Sequence, residues 1–229
     1  MPHPNLELLK LTAEKLRPLL PEIVFVGGCA TGQLVTDPGA APVRATYDVD
    51  IIAEIGSYAD YAIFSERLRA RLSRRHTRRR AGLPLDLRSL TLDVMPLDEK
   101  ILGFSNHWYR DAMQSAVAVT ISENLKVRAI TAPYFLGTKL EAFHGRGHLD
   151  YFASHDLEDL IAVVDGRAAL LDEVAAAAED LRMFIGNAIR ALLTELRFQD
   201  ALPGYLLPDA ASQSRIPLLL RRLEDLAKL

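Results

Sequence analysis

Asp48 and Asp50 stand two apart in Tyr47-Asp48-Val49-Asp50-Ile51-Ile52, and Asp93 stands in a second apolar run, Leu90-Thr91-Leu92-Asp93-Val94-Met95. A β-strand sends alternate side chains to opposite faces, so Asp48 and Asp50 project to one side. Carboxylates so placed can hold a hard cation such as Mg²⁺, which takes oxygen ligands and keeps several waters. A third carboxylate from a neighbouring strand would serve a second ion and help activate an attacking hydroxyl, as phosphoryl transfer requires. The competing reading is a strand edge with solvated acids. It must explain two in-phase aspartates interrupting Val49, Ile51, Ile52 and Ala53, although aspartate is disfavoured in strands and costly to bury unpaired.

Gly27-Gly28 follows the apolar run Ile23-Val24-Phe25-Val26. A strand–Gly-Gly–helix passage offers free N–H groups and a positive helix end to a phosphate; it also serves as a turn for steric reasons alone. Gly27-Gly28-Cys29-Ala30-Thr31-Gly32 lacks the glycine spacing of a dinucleotide fingerprint, and no Lys-Ser or Lys-Thr closes it as a P-loop. Cys29 is the single cysteine, so no internal disulfide forms, which fits a reducing compartment. It reads as a small packed residue. Arg67, Arg69, Arg71, Arg74, Arg75, Arg78, Arg79 and Arg80 form the main basic stretch, suited to an RNA backbone or to a solvated helix end. His144 and His148 are too interrupted by Gly145 and Gly147 for a zinc-binding helix. Asn106-His107-Trp108-Tyr109-Arg110 reads as core packing before base stacking.

These residues need elements to hold them. An amphipathic helix is expected over 5–20, ended by Pro21, then a strand over 23–26, a helix over 29–35 and a loop over 36–46. The Asp48/Asp50 strand runs to about Ile55, and Ser57 caps a helix through Leu72. Residues 83–95 read as two β segments broken near Arg88-Ser89, and 116–121 with 125–130 as a hairpin. Beyond Pro133 the pattern is helical, with Ser154 and Asp156 at a helix start. The fold class expected is α/β (α+β): a mixed β-sheet core over 1–132 and a helical C-terminal domain over 133–229. The net charge of −3 excludes bulk coating of nucleic acid, so RNA contact needs a local patch. No apolar run is long enough to span a bilayer and no leader pattern opens the chain, so a cytoplasmic protein is expected, with no membrane partner.

Val26-Gly27-Gly28, Asp48-Val49-Asp50 and Asp93 together resemble the nucleotidyltransferase superfamily of the polymerase-β type. Lys139-Leu140-Glu141-Ala142-Phe143, Arg146-Gly147, Asp150 and Asp156-Leu157-Glu158-Asp159-Leu160 resemble its AbiEii/AbiGii toxin-like branch. The resemblance implies a nucleotidyltransferase core with flanking helices. It implies Mg²⁺-dependent (or Mn²⁺-dependent) transfer of a nucleoside monophosphate from an NTP to an acceptor hydroxyl, with release of pyrophosphate. Gly27 and Gly28 would hold triphosphate oxygens, and Asp48, Asp50 and Asp93 would bind the metals. Asp93 would also take the proton of the attacking hydroxyl. Lys139 would contact the triphosphate, and Arg146 and Asp150 complete the nucleotide-site candidates. The branch implies RNA as acceptor, the tRNA 3′ end first, in a toxin–antitoxin or phage-defence setting with a cognate antitoxin. AMP transfer to protein, transfer to an antibiotic hydroxyl, and a non-catalytic nucleotide- or partner-binding role stay open. Nineteen residues separate Gly28 from Asp48, a longer gap than the superfamily commonly has, so acceptor choice does not carry over simply.

Overall fold

The computed structural model describes residues 4–72, 91–98, 100, 106–145 and 149–229. The earlier of the two expected β segments in 83–95, Arg74–Arg80, Arg146 and His148 lie outside the described residues. The chain divides into two units. Met1–Ala30, Ala45–Ser105 and Met113–Ile130 make one, and Thr31–Arg44, Asn106–Ala112 and Thr131–Leu229 make the other.

Among the described residues the first unit holds a five-stranded mixed sheet in the order β3-β2-β1-β5-β4. The strands are β1 (Ile23–Val26), β2 (Asp48–Ala53), β3 (Thr91–Pro96), β4 (Val117–Ser122) and β5 (Leu125–Ala129). β1 runs antiparallel to β2 and parallel to β5, β2 runs parallel to β3, and β4 and β5 form the expected hairpin. All four residues of β1 are buried, as a continuous apolar run in a central strand demands. One face of the sheet carries Ile23, Phe25, Val49, Ile51, Leu125 and Val127. Against it pack Leu8, Leu9, Ala13 and Leu16 of the first helical segment, with Phe64 and Leu68 of a later helix.

Helix α1 covers Pro4–Lys15 and gives way to a 3₁₀ segment over Arg17–Glu22, rather than running on to residue 20. Pro18 is the reason. Its ring disfavours α geometry at Arg17 and it has no N–H to continue the ladder, so the chain tightens instead. Helix α2 starts at the glycines, Gly27–Leu34. Helix α3 covers Tyr58–Leu72. Its start is capped as expected: the Ser57 hydroxyl accepts from the Asp60 amide at 3.1 Å and bonds the Asp60 carboxylate at 2.7 Å.

α4 (Tyr109–Gln114) precedes the hairpin; α5 (Ala132–Gly145) opens the helical region. There follow α6 (His155–Gly166), α7 (Leu170–Ala175), α8 (Glu179–Thr194), α9 (Leu196–Ala201), α10 (Ala210–Gln213) and α11 (Ile216–Leu226). α5 is the hub of the second unit and is buried along most of its length. Gly137 lets α8 approach: a Cβ there would meet Leu181 Cδ1 at 2.6 Å. The 36–46 segment is a loop as expected. Thr36 and Asp37 amides donate to the Gly166 carbonyl, and the Asp37 carboxylate pairs with Arg215 at 2.7 Å.

Candidate active site

The parallel register of β2 and β3 sets Asp50 opposite Asp93 and Asp48 opposite Thr91. Paired residues on neighbouring strands share a face. Asp48, Asp50 and Asp93 therefore lie on the side of the sheet opposite Val49, Ile51 and the core beneath them. Asp48 and Asp93 are exposed and Asp50 is half-buried.

The antiparallel register with β1 places Asp50 beside Val26, the last residue before the glycines. Gly27 has φ +65°, and a Cβ built on it would fall 1.9 Å from Asp50 Oδ2 and 2.7 Å from Asp50 Cγ. Both the left-handed backbone and the lack of a side chain are therefore needed at Gly27. The turn exists with the Asp50 carboxylate laid against it.

Asn5 holds this end of the sheet together. Its fully buried side-chain amide donates to the Gly28 carbonyl at 3.2 Å and accepts from the Thr46 amide at 3.0 Å. One residue of α1 thus ties the glycine turn to the segment entering β2. The Thr46 hydroxyl then takes the Asp48 amide at 3.3 Å. Sequence reasoning missed Asn5, because an asparagine among helix leucines carries no local sign of partners 23 and 41 residues away. Cys29 is buried, with its thiol 3.2 Å from the Val26 carbonyl, in keeping with a packed residue.

Lys139 of α5 lies in an ionic cluster of the second unit. Its Nζ is 2.9 Å from Asp156 Oδ1 and 2.7 Å from Asp159 Oδ2. Arg44 grips the same Asp159 with Nε at 2.9 Å and Nη2 at 3.0 Å. Burial, the largest influence on Lys139, pushes its pKa down; the charges of Asp159 and Asp156 outweigh it and leave the pKa above the ordinary lysine value. Asp159 is almost wholly buried, and paired, hydrogen-bonded neighbours are what make such a carboxylate tenable. Arg44 gave no sequence signal; it lies in the loop 115 residues before its partner.

Asp150 is exposed, and its Oδ1 accepts from the amides of Phe152 and Ala153 at 3.0 and 3.1 Å, closing a turn ahead of α6. The Ser154 hydroxyl caps α6 by accepting from the Leu157 amide at 3.3 Å. Arg146 lies outside the described residues. Arg67 forms a two-pronged pair with Glu22 at 2.6 and 2.7 Å. His144 bonds the Leu140 carbonyl through Nδ1. Trp108 and Tyr109 are buried, with the Trp108 ring 5.3 Å from Phe184, as core packing predicts.

Among the described residues, no three His, Cys, Asp or Glu side chains converge closely enough to cage a metal by protein ligands alone. Mg²⁺ does not ask for such a cage. It is commonly bound by one or two carboxylates, with waters and substrate phosphates completing the shell. The all-oxygen set of Asp48, Asp50 and Asp93 on one sheet face fits that requirement.

No protein-family model matches the sequence, and no curated protein matches it. Among solved structures the chain is similar to an antigenic nucleotidyltransferase-like protein from Paracoccidioides brasiliensis. The TM-score is 0.50 at 18% identity, covering 97% of this chain and 93% of that one. At this identity the likeness is one of fold: a mixed sheet with flanking helices, of the nucleotidyltransferase type. It does not reach the toxin-like branch. Among the described residues no helix is long and apolar enough to cross a membrane.

Proposed function

We infer that the chain is a nucleotidyltransferase, and the observation that carries this is the pairing of Asp50 with Asp93, two residues from Asp48, with Gly27 closed against the Asp50 carboxylate. The fold likeness supports the same class. The Gly27-Gly28 amides at the start of α2 receive triphosphate oxygens, where free N–H groups and the helix dipole favour negative charge. Asp48, Asp50 and Asp93 would hold Mg²⁺ or Mn²⁺, which when bound would neutralise phosphate charge and acidify the attacking hydroxyl. Asp48 and Asp50 would act on the α-phosphate only through such ions, because carboxylates directly repel an anionic phosphate. Asp93 takes the proton of the acceptor hydroxyl as its oxygen bonds to the α-phosphorus. The bond from phosphorus to the bridging oxygen breaks, and pyrophosphate leaves. Lys139 spends two of its N–H donors on Asp156 and Asp159.

The acceptor in this reading is RNA, the tRNA 3′ end first, in a toxin–antitoxin or phage-defence setting with an antitoxin partner. The support is the sequence resemblance around Lys139 and Asp156–Asp159. The test is incubation with each α-labelled NTP, Mg²⁺ or Mn²⁺, and total tRNA, beside Asp50→Ala. Label on RNA is expected from the wild type, with Asp50→Ala down by about 10²–10³-fold or more, the scale of losing one group that stabilises transition-state charge. Label on a protein band or an antibiotic replaces the acceptor assignment. No turnover with any acceptor class removes the enzyme reading and leaves a nucleotide-binding fold.

A further inference from the structure

The buried face of α1 carries Asn5, Leu8, Leu9, Thr12 and Ala13. Its two polar members use their polar atoms in opposite ways. The Thr12 hydroxyl turns back on its own helix and donates to the Leu8 carbonyl at 2.9 Å. Asn5 is equally closed to solvent, but its carboxamide reaches out of the helix to the Gly28 carbonyl and the Thr46 amide. A buried amide is costly unless its ends are bonded. This position needs a donor toward Gly28 and an acceptor toward Thr46 on one short side chain. An ionised aspartate lacks the donor, and leucine has neither. The bridge, not core packing, is what asks for asparagine here.

The two ends of the bridge belong to the two halves of the candidate site. Gly28 lies in the turn that opens α2, and the Thr46 hydroxyl accepts from the amide of Asp48, the first residue of β2, at 3.3 Å. The close approach of Gly27 to Asp50 is a second point where turn and strand meet. A metal-bound triphosphate must meet the glycine amides with its phosphates and the carboxylates with its metal at the same time. The spacing of turn and strand decides whether both can be satisfied. We propose that Asn5 is a positioning residue, which sets the glycine turn at the distance from β2 where one metal–triphosphate engages both; this rests on the nucleotidyl-transfer reading. Asn5 acts through Gly28 and Thr46. It does not hold the carboxylates relative to one another, because the pairing of β2 with β3 does that.

That division of labour gives the test. Mn²⁺ alone, and Mn²⁺ with each α,β-methylene NTP, is titrated into wild type, Asn5→Ala and Asn5→Asp, with bound metal read by electron paramagnetic resonance. Asn5→Asp keeps the shape and the acceptor and loses the donor, so it serves if Asn5→Ala does not fold. Leu16→Ala is the control for lost stability: it empties a wholly buried core position just past α1 and leaves the bridge untouched. Mn²⁺ alone is expected to bind all of them alike. The analogue is expected to tighten Mn²⁺ binding by about tenfold in wild type and Leu16→Ala, the scale of coupling between two ligands, and to do so little in the Asn5 variants. In steady-state assays kcat/KM is expected to fall by about 10²-fold in the Asn5 variants, the scale of a misplaced reacting group, and to stay at the wild-type value in Leu16→Ala. Coupling in the Asn5 variants equal to that of wild type overturns the proposal, as does its absence from wild type. A loss shared by Leu16→Ala, or weaker binding of Mn²⁺ alone in the Asn5 variants, also overturns it. Coupling lost only in the Asn5 variants, with no turnover by wild type on any acceptor, preserves the positioning role and removes only the enzymatic reading.

Discussion

Gly27 and Asp50 act as one unit, because the carboxylate occupies the space where any other residue at 27 would place its Cβ. Gly27→Ala is expected to cost at least about 1–2 kcal/mol from the left-handed backbone alone. The further clash displaces Asp50, so nucleotidyl transfer should fall by more than stability does. The check is a cycle of Gly27→Ala, Asp50→Ala and the double variant in urea melts: the glycine substitution should cost less once the carboxylate is gone. At this scale the sequence was informative about type and silent about partners. Two in-phase aspartates and a Gly-Gly turn are visible in any strand-to-helix reading. Contact between the glycine and one particular aspartate is set by the register of two strands, which no local pattern encodes. Asn5 and Arg44 were invisible for the same reason, since each is defined by a partner distant in the chain.

Among elements, the hairpin of β4 and β5 and the caps of α3 and α6 follow from residues inside each segment: alternating apolar positions, and Ser57 and Ser154 at helix starts. The end of α1 did not follow from its apolar spacing, because Pro18 outweighs the periodicity that leads to residue 20. The attachment of α6 to α5 was also hidden. Lys139 reads as a solvated helix residue by itself, yet it is buried and joins the two helices through Asp156 and Asp159. Replacing one partner of a buried ionic cluster leaves the others short of compensation, so Lys139→Met is expected to destabilise by about 3–5 kcal/mol, with Arg44 moderating the loss. Chemical denaturation is the measurement. A change below about 0.5 kcal/mol would show that Arg44 alone suffices for Asp159.

For the whole molecule, stability should fall toward both ends of the pH scale. Hydrogen bonding to Arg67 holds the Glu22 carboxyl below its ordinary value, and bonding to Arg215 does the same for Asp37. Folded values below unfolded ones mean that this stability is present above the ordinary carboxylate range and is lost as the pH falls through the folded values. Tyr205 works in the opposite direction. Burial raises its phenol to about 12, and its hydroxyl donates to the Tyr151 carbonyl at 2.7 Å. A folded value above the unfolded one contributes stability that is complete below the ordinary tyrosine value of about 10 and is lost as the pH rises through the folded value. Tyr205→Phe is expected to cost about 1 kcal/mol at neutral pH. It should also flatten the fall in urea midpoint between about pH 10 and 12, and an unaltered slope there would assign the alkaline loss to other groups.

The sheet order carries a consequence for synthesis. β1 is made before the other four strands of this sheet, yet it sits at the centre, with β2 on one side and β5 on the other. About a hundred residues separate β1 from β5, so at ordinary translation rates the central strand waits roughly 5–20 s on the ribosome for its second neighbour. During that interval a fully apolar strand has one unpaired edge, the arrangement most open to pairing with another nascent chain. A stop codon between β3 and the hairpin would make that interval permanent, and its product should be found in the insoluble fraction or degraded.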